Sequence, residues 1–139
     1  MSAKDNFIKG VEAINNHNAG AMAALFAANA TVHDPFYPEP LKGREAIEQD
    51  MVDFFRAFPT MKMTLVGELI ENEDTVAGIF RVDATHDGPL ASPSGEIPPT
   101  GKPLSFEGAA FSRYGPQGEV IEQRRYYDVA GQLAQLGLG

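Results

Sequence analysis

A chain of 139 residues fits one domain, and a domain of that size can bury a core of its own. With no cysteine, disulfides, thiolate metal sites and cysteine nucleophiles are excluded. The formal net charge of -8 argues against nucleic acid and anionic membranes, which are bound through clustered lysine and arginine.

Ser2 and Asp5 make a capping-box pattern that opens a helix, and Phe7, Ile8, Val11 and Ile14 follow at helical spacing. Asn15, Asn16, His17 and Asn18 interrupt it, and Gly20 marks a turn. A short apolar helix is expected next, with Met22, Leu25 and Phe26 turned inward. Residues 31–33 read as a brief extended piece, and Pro35, Pro38 and Pro40 as a stiff loop. The clearest pattern runs over 43–58. Ile47, Met51, Phe54, Phe55 and Phe58 share one stripe, acids and Arg56 lie opposite, and Pro59 stops the helix. The stripe is core, or core plus pocket wall.

The second half reads as strands over 62–70, 75–86, 104–114 and 119–127, with polar turns at 71–74 and 115–118. Between them, 87–102 is a loop rich in glycine, proline and serine, long enough to be functional or mobile. A short helix starting at Val129 ends the chain. No apolar run reaches the length of a membrane span, and residues 1–10 lack a signal peptide's basic-then-apolar layout, so a cytoplasmic protein is expected.

Helices followed by an antiparallel meander indicate an α+β domain over 1–139, a cone-shaped curved sheet wrapped by three N-terminal helices. Such a cone encloses a small-molecule pocket, with Pro/Gly loops at its mouth. Ala109, Phe111 and Ile121 are too apolar for a bare outer sheet face, which suggests a homodimer through that face.

The stretch Leu25-Phe26-Ala27-Ala28-Asn29-Ala30-Thr31-Val32-His33-Asp34-Pro35, continued by Gly43-Arg44-Glu45-Ala46-Ile47, resembles ketosteroid isomerases. Pro99-Thr100-Gly101-Lys102, Gly118-Glu119-Val120-Ile121 and Arg125-Tyr126-Tyr127-Asp128 resemble SnoaL-type polyketide cyclases and limonene epoxide hydrolases, and the tail Gln135-Leu136-Gly137-Leu138 is similar to the SnoaL-like group. The resemblance implies the nuclear-transport-factor-two-like fold (a cystatin-like α+β barrel) across almost the whole chain. It is specific for fold, and weaker for reaction, because this fold hosts many chemistries.

Carried over residue by residue, the resemblance places the isomerase base at Asp34. The isomerase oxyanion donors fall at Gly10 and Ala110, which cannot donate from a side chain. The SnoaL-type acid–base aspartate falls at Arg125, and its supporting histidine at Ala110. Of the hydrolase aspartate–arginine–aspartate set, Arg81 and Asp83 match two members, and the second aspartate again falls at Arg125. Its water-holding tyrosine and asparagine fall near His33 and Pro35.

The candidate catalytic residues are therefore Asp34, Asp83 and Arg125. The candidate substrate-binding residues are Arg81, Tyr37, His86, Gln123, Tyr127, Phe54 and Phe55. Gln123, Arg125 and Tyr127 alternate onto one face of the last strand, and Tyr37 and His86 would sit at the mouth. The plain alternatives stand beside these roles. Asp34 before Pro35 is also a turn signal, Arg81, Asp83 and Arg125 also make a structural ion-pair network or a dimer face, and His86 also suits a structural histidine. His17, His33 and His86 have no metal-ligand spacing, and no cofactor is expected.

Two functions fit. One is a cofactor-free isomerase, cyclase or hydrolase acting on a hydrophobic, polyketide- or steroid-like substrate. Asp34 would be its base, or Asp83 would activate water held by Arg81. Arg125 would hold the developing enolate or a carboxylated substrate. The other is a non-catalytic binder of a small acidic or apolar ligand.

Overall fold

The computed structural model describes residues 2–138. Helix α1 spans Ala3–Asn15 and opens with the capping box: Ser2 Oγ accepts from the Asp5 amide at 3.1 Å, and Asp5 Oδ2 accepts from the Ser2 amide at 3.4 Å. It buries Phe7 and Asn6, and the Asn6 amide donates to the carbonyls of Gly118 and Leu25, pinning the helix across the sheet end. Helix α2 covers only Ala19–Ala23, capped by Asn18.

Strand β1, Phe26–His33, begins where the sequence suggested a helix. Alanine-rich 27–30 has little strand propensity, so tertiary pairing decides. Phe26 pairs with Val120 of the last strand, and the Arg44 guanidinium donates twice to the Phe26 carbonyl, at 3.1 and 2.8 Å. A two-residue strand β2, Leu41–Lys42, pairs with β1.

Helix α3, Arg44–Ala57, matches the periodic stretch, and burying a side chain such as Phe58 just past its end contributes roughly 2–3 kcal/mol. Strands β3 (Lys62–Asn72), β4 (Thr75–Thr85), β7 (Pro103–Tyr114) and β8 (Val120–Tyr126) form the meander, and helix α4, Val129–Gln135, follows. The long loop 87–102 carries its own hairpin, β5 (Leu90–Ser92) with β6 (Gly95–Ile97), lying against α3. Gly88 allows this approach: its amide donates to the Ala57 carbonyl at 3.1 Å, and a Cβ there would lie 1.9 Å from the Arg56 carbonyl oxygen. Arg56 pairs with Glu96 of the hairpin at 2.8 Å.

The main sheet runs β2-β1-β8-β7-β4-β3, antiparallel throughout except the parallel β1–β8 pair, with β2 and β3 at open edges. On β4, Val76, Phe80 and Val82 are buried, and on β7, Leu104, Ala110, Ser112 and Tyr114 are buried. Alternation makes these the inner face. The outer face leaves Ile79, Phe111 and Tyr126 exposed. Among the described residues no helix is long and apolar enough to cross a membrane.

Candidate functional site

Between the inner sheet face and helices α1, α3 and α4 lies a cavity of about 160 Å³. Phe7, Met51, Phe54, Phe58, Phe80 and Phe106 give it a largely apolar wall. Charge is gathered at one place. Asp34 leaves the end of β1, Asp50 comes from the middle of α3, and Arg125 projects inward from β8. Asp34 keeps its turn role as well, because its Oδ1 accepts from the Phe36 amide at 2.9 Å.

Arg125 Nη1 donates to Asp34 Oδ2 at 3.1 Å and to Asp50 Oδ2 at 2.9 Å. Its Nε donates to Gln123 Oε1 at 2.8 Å, and Gln123 Nε2 donates on to Ser112 Oγ at 2.9 Å. Two phenols close the cluster: Tyr127 donates to Asp34 Oδ1, and Tyr37 donates to Asp50 Oδ1 at 2.6 Å. The side chains of Arg125, Asp34 and Asp50 are only 13%, 5% and 11% exposed. Two carboxylates share one guanidinium, so these three residues carry a formal charge of minus one in an apolar enclosure.

The electrostatics follow from burial and neighbours. Burial pushes the Tyr127 and Tyr37 phenols up, and the negative charges of Asp34 and Asp50 add to it. Burial alone would lower Arg125, but Asp50 and Asp34 outweigh it and its pKa rises. Both phenols are therefore proton holders near neutral pH, and Arg125 is a fixed cation.

Of the sequence candidates, Asp34, Arg125, Gln123, Tyr127, Tyr37 and Phe54 line this cavity. The others lie elsewhere. Arg81 and Asp83 sit on the outer face of β4, about half exposed, because the buried partners Phe80 and Val82 take the inward positions. Arg81 bonds Asp83 at 3.2 Å, and hydrogen bonds from Arg81 and Ser105 hold the Asp83 carboxyl below the usual carboxylate range. This pair cannot act on a ligand inside the cone. His86 is not at the mouth. It is fully buried against Phe58, with Nδ1 3.0 Å from Thr100 Oγ1, and burial lowers its pKa. Phe55 turns away and stacks on His17, ring centroids 4.6 Å apart.

Sequence reasoning missed Asp50, Ser112 and Tyr114, all of which line the cavity. Asp50 carried a signal: it lies three residues after Ile47 and four before Phe54, on the apolar stripe rather than opposite it. Loop 87–102 contributes Leu90 and Ala91 to the wall. Among the described residues, no group of three or more His, Asp or Glu is placed to hold a metal ion.

Comparison with known proteins agrees with this architecture. The family model described as SnoaL-like polyketide cyclase matches residues 8–136. AclR of Streptomyces galilaeus, a proposed hydroxylase, superposes with a TM-score of 0.80 at 21% identity, covering 97% of this chain and 95% of that one. A proposed SnoaL-like polyketide cyclase from Jannaschia sp. CCS1 gives a TM-score of 0.83 at 15% identity, over 99% and 92% of the two chains. IdmH of Streptomyces antibioticus, a proposed polyketide cyclase, gives 0.77 at 25% identity, over 99% of each. No curated protein sequence matches the chain.

Proposed function

The chain belongs to the SnoaL-like polyketide cyclase family, and from that premise we propose that it is a cofactor-free acid–base enzyme acting on a hydrophobic, polyketide-like substrate, with Asp34 as the base. One observation carries the reading: a carboxylate 5% exposed stands on the wall of an apolar cavity, oriented by Arg125 and Tyr127. A carboxylate fixed on the wall of an apolar cavity is held ready for a bound C–H or O–H, which is the positioning that proton abstraction needs.

The network supports a balanced proton transfer. Asp34 takes a proton from the substrate, and the electron pair of the broken bond stays on the substrate as an enolate or alkoxide. Asp34 is then neutral, and Tyr127 no longer needs to donate to it. The Tyr127 O–H can turn to the new oxyanion, and Arg125, still paired with Asp50, keeps its cation beside it. The formal charge of Asp34, Asp50, Arg125 and the substrate together is minus one before and after. Return of the proton to another atom completes an isomerisation or a ring closure. Arg125 is thus a positioning residue shared by two carboxylates, rather than the free anion holder its sequence position suggests.

A non-catalytic binding role is the second reading. It is favoured by the closure of the network, since Arg125 donates to both carboxylates directly. Asp34→Asn separates the two. A panel of apolar aromatic ketones and phenols would be screened for binding and for product by mass and ultraviolet spectra. The enzyme reading expects products with the wild type, none with Asp34→Asn, and similar affinities for both. Binding with no product from any member would leave the binding role standing instead.

A further inference from the structure

The polar chain in the cavity has a direction. Arg125 donates to Gln123, and Gln123 donates to Ser112, so each link passes its acceptor back toward the charged cluster and leaves a donor on the far side. On the inner face of β7 the residues after Ala110 are Ser112 and Tyr114, and Ala110 and Ser112 stand opposite Arg125 and Gln123. Each inward step is two residues, so Tyr114 lies about 13 Å along the strand from the level of Arg125. Asn6, Phe7, Gly10, Leu25 and Val120 wall this region, and the Asn6 amide is already committed to two carbonyls.

Tyr114 is 6% exposed and lines the cavity, and its hydroxyl is fully buried with no well-formed hydrogen bond among the described residues, although the Ser112 hydroxyl lies nearby. A buried phenol with nothing to donate to works against folding, and phenylalanine would fill the same space without that cost. The second such atom, His86 Nε2, does not face the cavity. The Tyr114 donor is therefore the one that a cavity occupant can satisfy.

We propose that the end of the cavity remote from Asp34 is an acceptor subsite, where Tyr114 Oη donates to a carbonyl or ether oxygen at the leading end of an uncharged, elongated, mostly apolar ligand. This rests on the proposed function's reading of the cavity as the substrate site, and adds which end enters first and which atom it carries. The ligand is uncharged at that end because, among the described residues, no lysine or arginine lines it to balance a carboxylate. A buried ammonium is disfavoured there as well, because Asp34 and Asp50, the carboxylates of the charged cluster, lie at the other end of the cavity. Its reactive C–H or O–H then lies back along the strand, near Asp34.

The test uses a matched pair of probes, 1-tetralone and tetralin, which differ at one carbonyl oxygen. Their dissociation constants are measured by NMR titration with the wild type, Tyr114→Phe and Asp34→Asn. The expected result is that the tetralin-to-tetralone ratio of dissociation constants falls about fivefold to tenfold in Tyr114→Phe, the value of one neutral hydrogen bond. Tetralin affinity should be retained, and the carbonyl stretch of bound 1-tetralone should move to higher wavenumber in that variant. The ratio should be unchanged in Asp34→Asn, because the subsite is separate from the base. Equal ratios in wild type and Tyr114→Phe, or no binding of 1-tetralone to the wild type up to its solubility, would overturn the subsite. Neither result touches the role of Asp34, which is read from product formation.

Discussion

Replacing Arg125 with methionine removes the guanidinium shared by Asp34 and Asp50 while keeping most of the side chain's bulk. The two carboxylates, 5% and 11% exposed, are then left close together with no cation between them. Removing one partner of a buried pair typically costs about 3–5 kcal/mol, because the remaining charge stays desolvated. For a domain of this length that is a fall in Tm of roughly 10–20 °C. Tyr37 and Tyr127 still donate to the carboxylates, so the low end of the range is the better estimate. Thermal and urea unfolding of Arg125→Met, Asp50→Asn and the double variant form a cycle. The double variant should lose less than the sum of the two singles by at least ~1 kcal/mol, since neutralising Asp50 removes one of the stranded charges. Additive losses, or an Arg125→Met variant within ~1 kcal/mol of the wild type, would refute the claim that this triad is a buried, coupled unit.

Arg81→Ala and Asp83→Ala should leave probe binding essentially unchanged, because the pair lies half exposed outside the cone, and lost binding would place it back in the site. His86 titrates with a defined sign. Burial lowers its folded pKa, while the unfolded chain keeps a value near 6.5, so stability is full above about pH 6.5 and falls as pH drops toward the folded value. Wild type should therefore lose Tm relative to His86→Phe between about pH 7.5 and about pH 5, and a constant difference across that range would contradict the assignment. We also propose that the outer sheet face pairs with a second copy of the chain, since Ile79, Phe111 and Tyr126 together leave an apolar strip on it. Phe111→Glu should shift sedimentation from dimer to monomer, and a wild type that sediments as a monomer at all concentrations removes the proposal.

The elements with strong local signals were legible in the sequence. The α1 capping box and the α3 stripe gave boundaries within a few residues of those observed, because periodicity and capping are local. β1 was half hidden, because its alanines and Asn29 take strand form only through pairing with β8 and the Arg44 clasp on Phe26. The β5–β6 hairpin was hidden in a loop whose composition reports turns but not what they pack on. In the site, Gln123, Arg125 and Tyr127 were legible from strand alternation, and Asp34 from the motif around it. The same alternation applied to β4 would have turned Arg81 and Asp83 outward, since Val76, Phe80 and Val82 claim the other parity. The Arg125 pairings could not be read, because a residue on α3 and one after β1 meet it only through the tertiary fold.

Proton transfer to Asp34 tests the account most directly. A binding ketone from the panel, incubated in deuterium oxide and followed by proton NMR, reports solvent exchange at its acidic carbon. Wild type should accelerate that exchange well above the buffer rate, and Asp34→Asn should return it to the buffer rate while still binding the ketone. Exchange that is equally fast with Asp34→Asn, or no faster than buffer with bound wild type, would contradict Asp34 as the base.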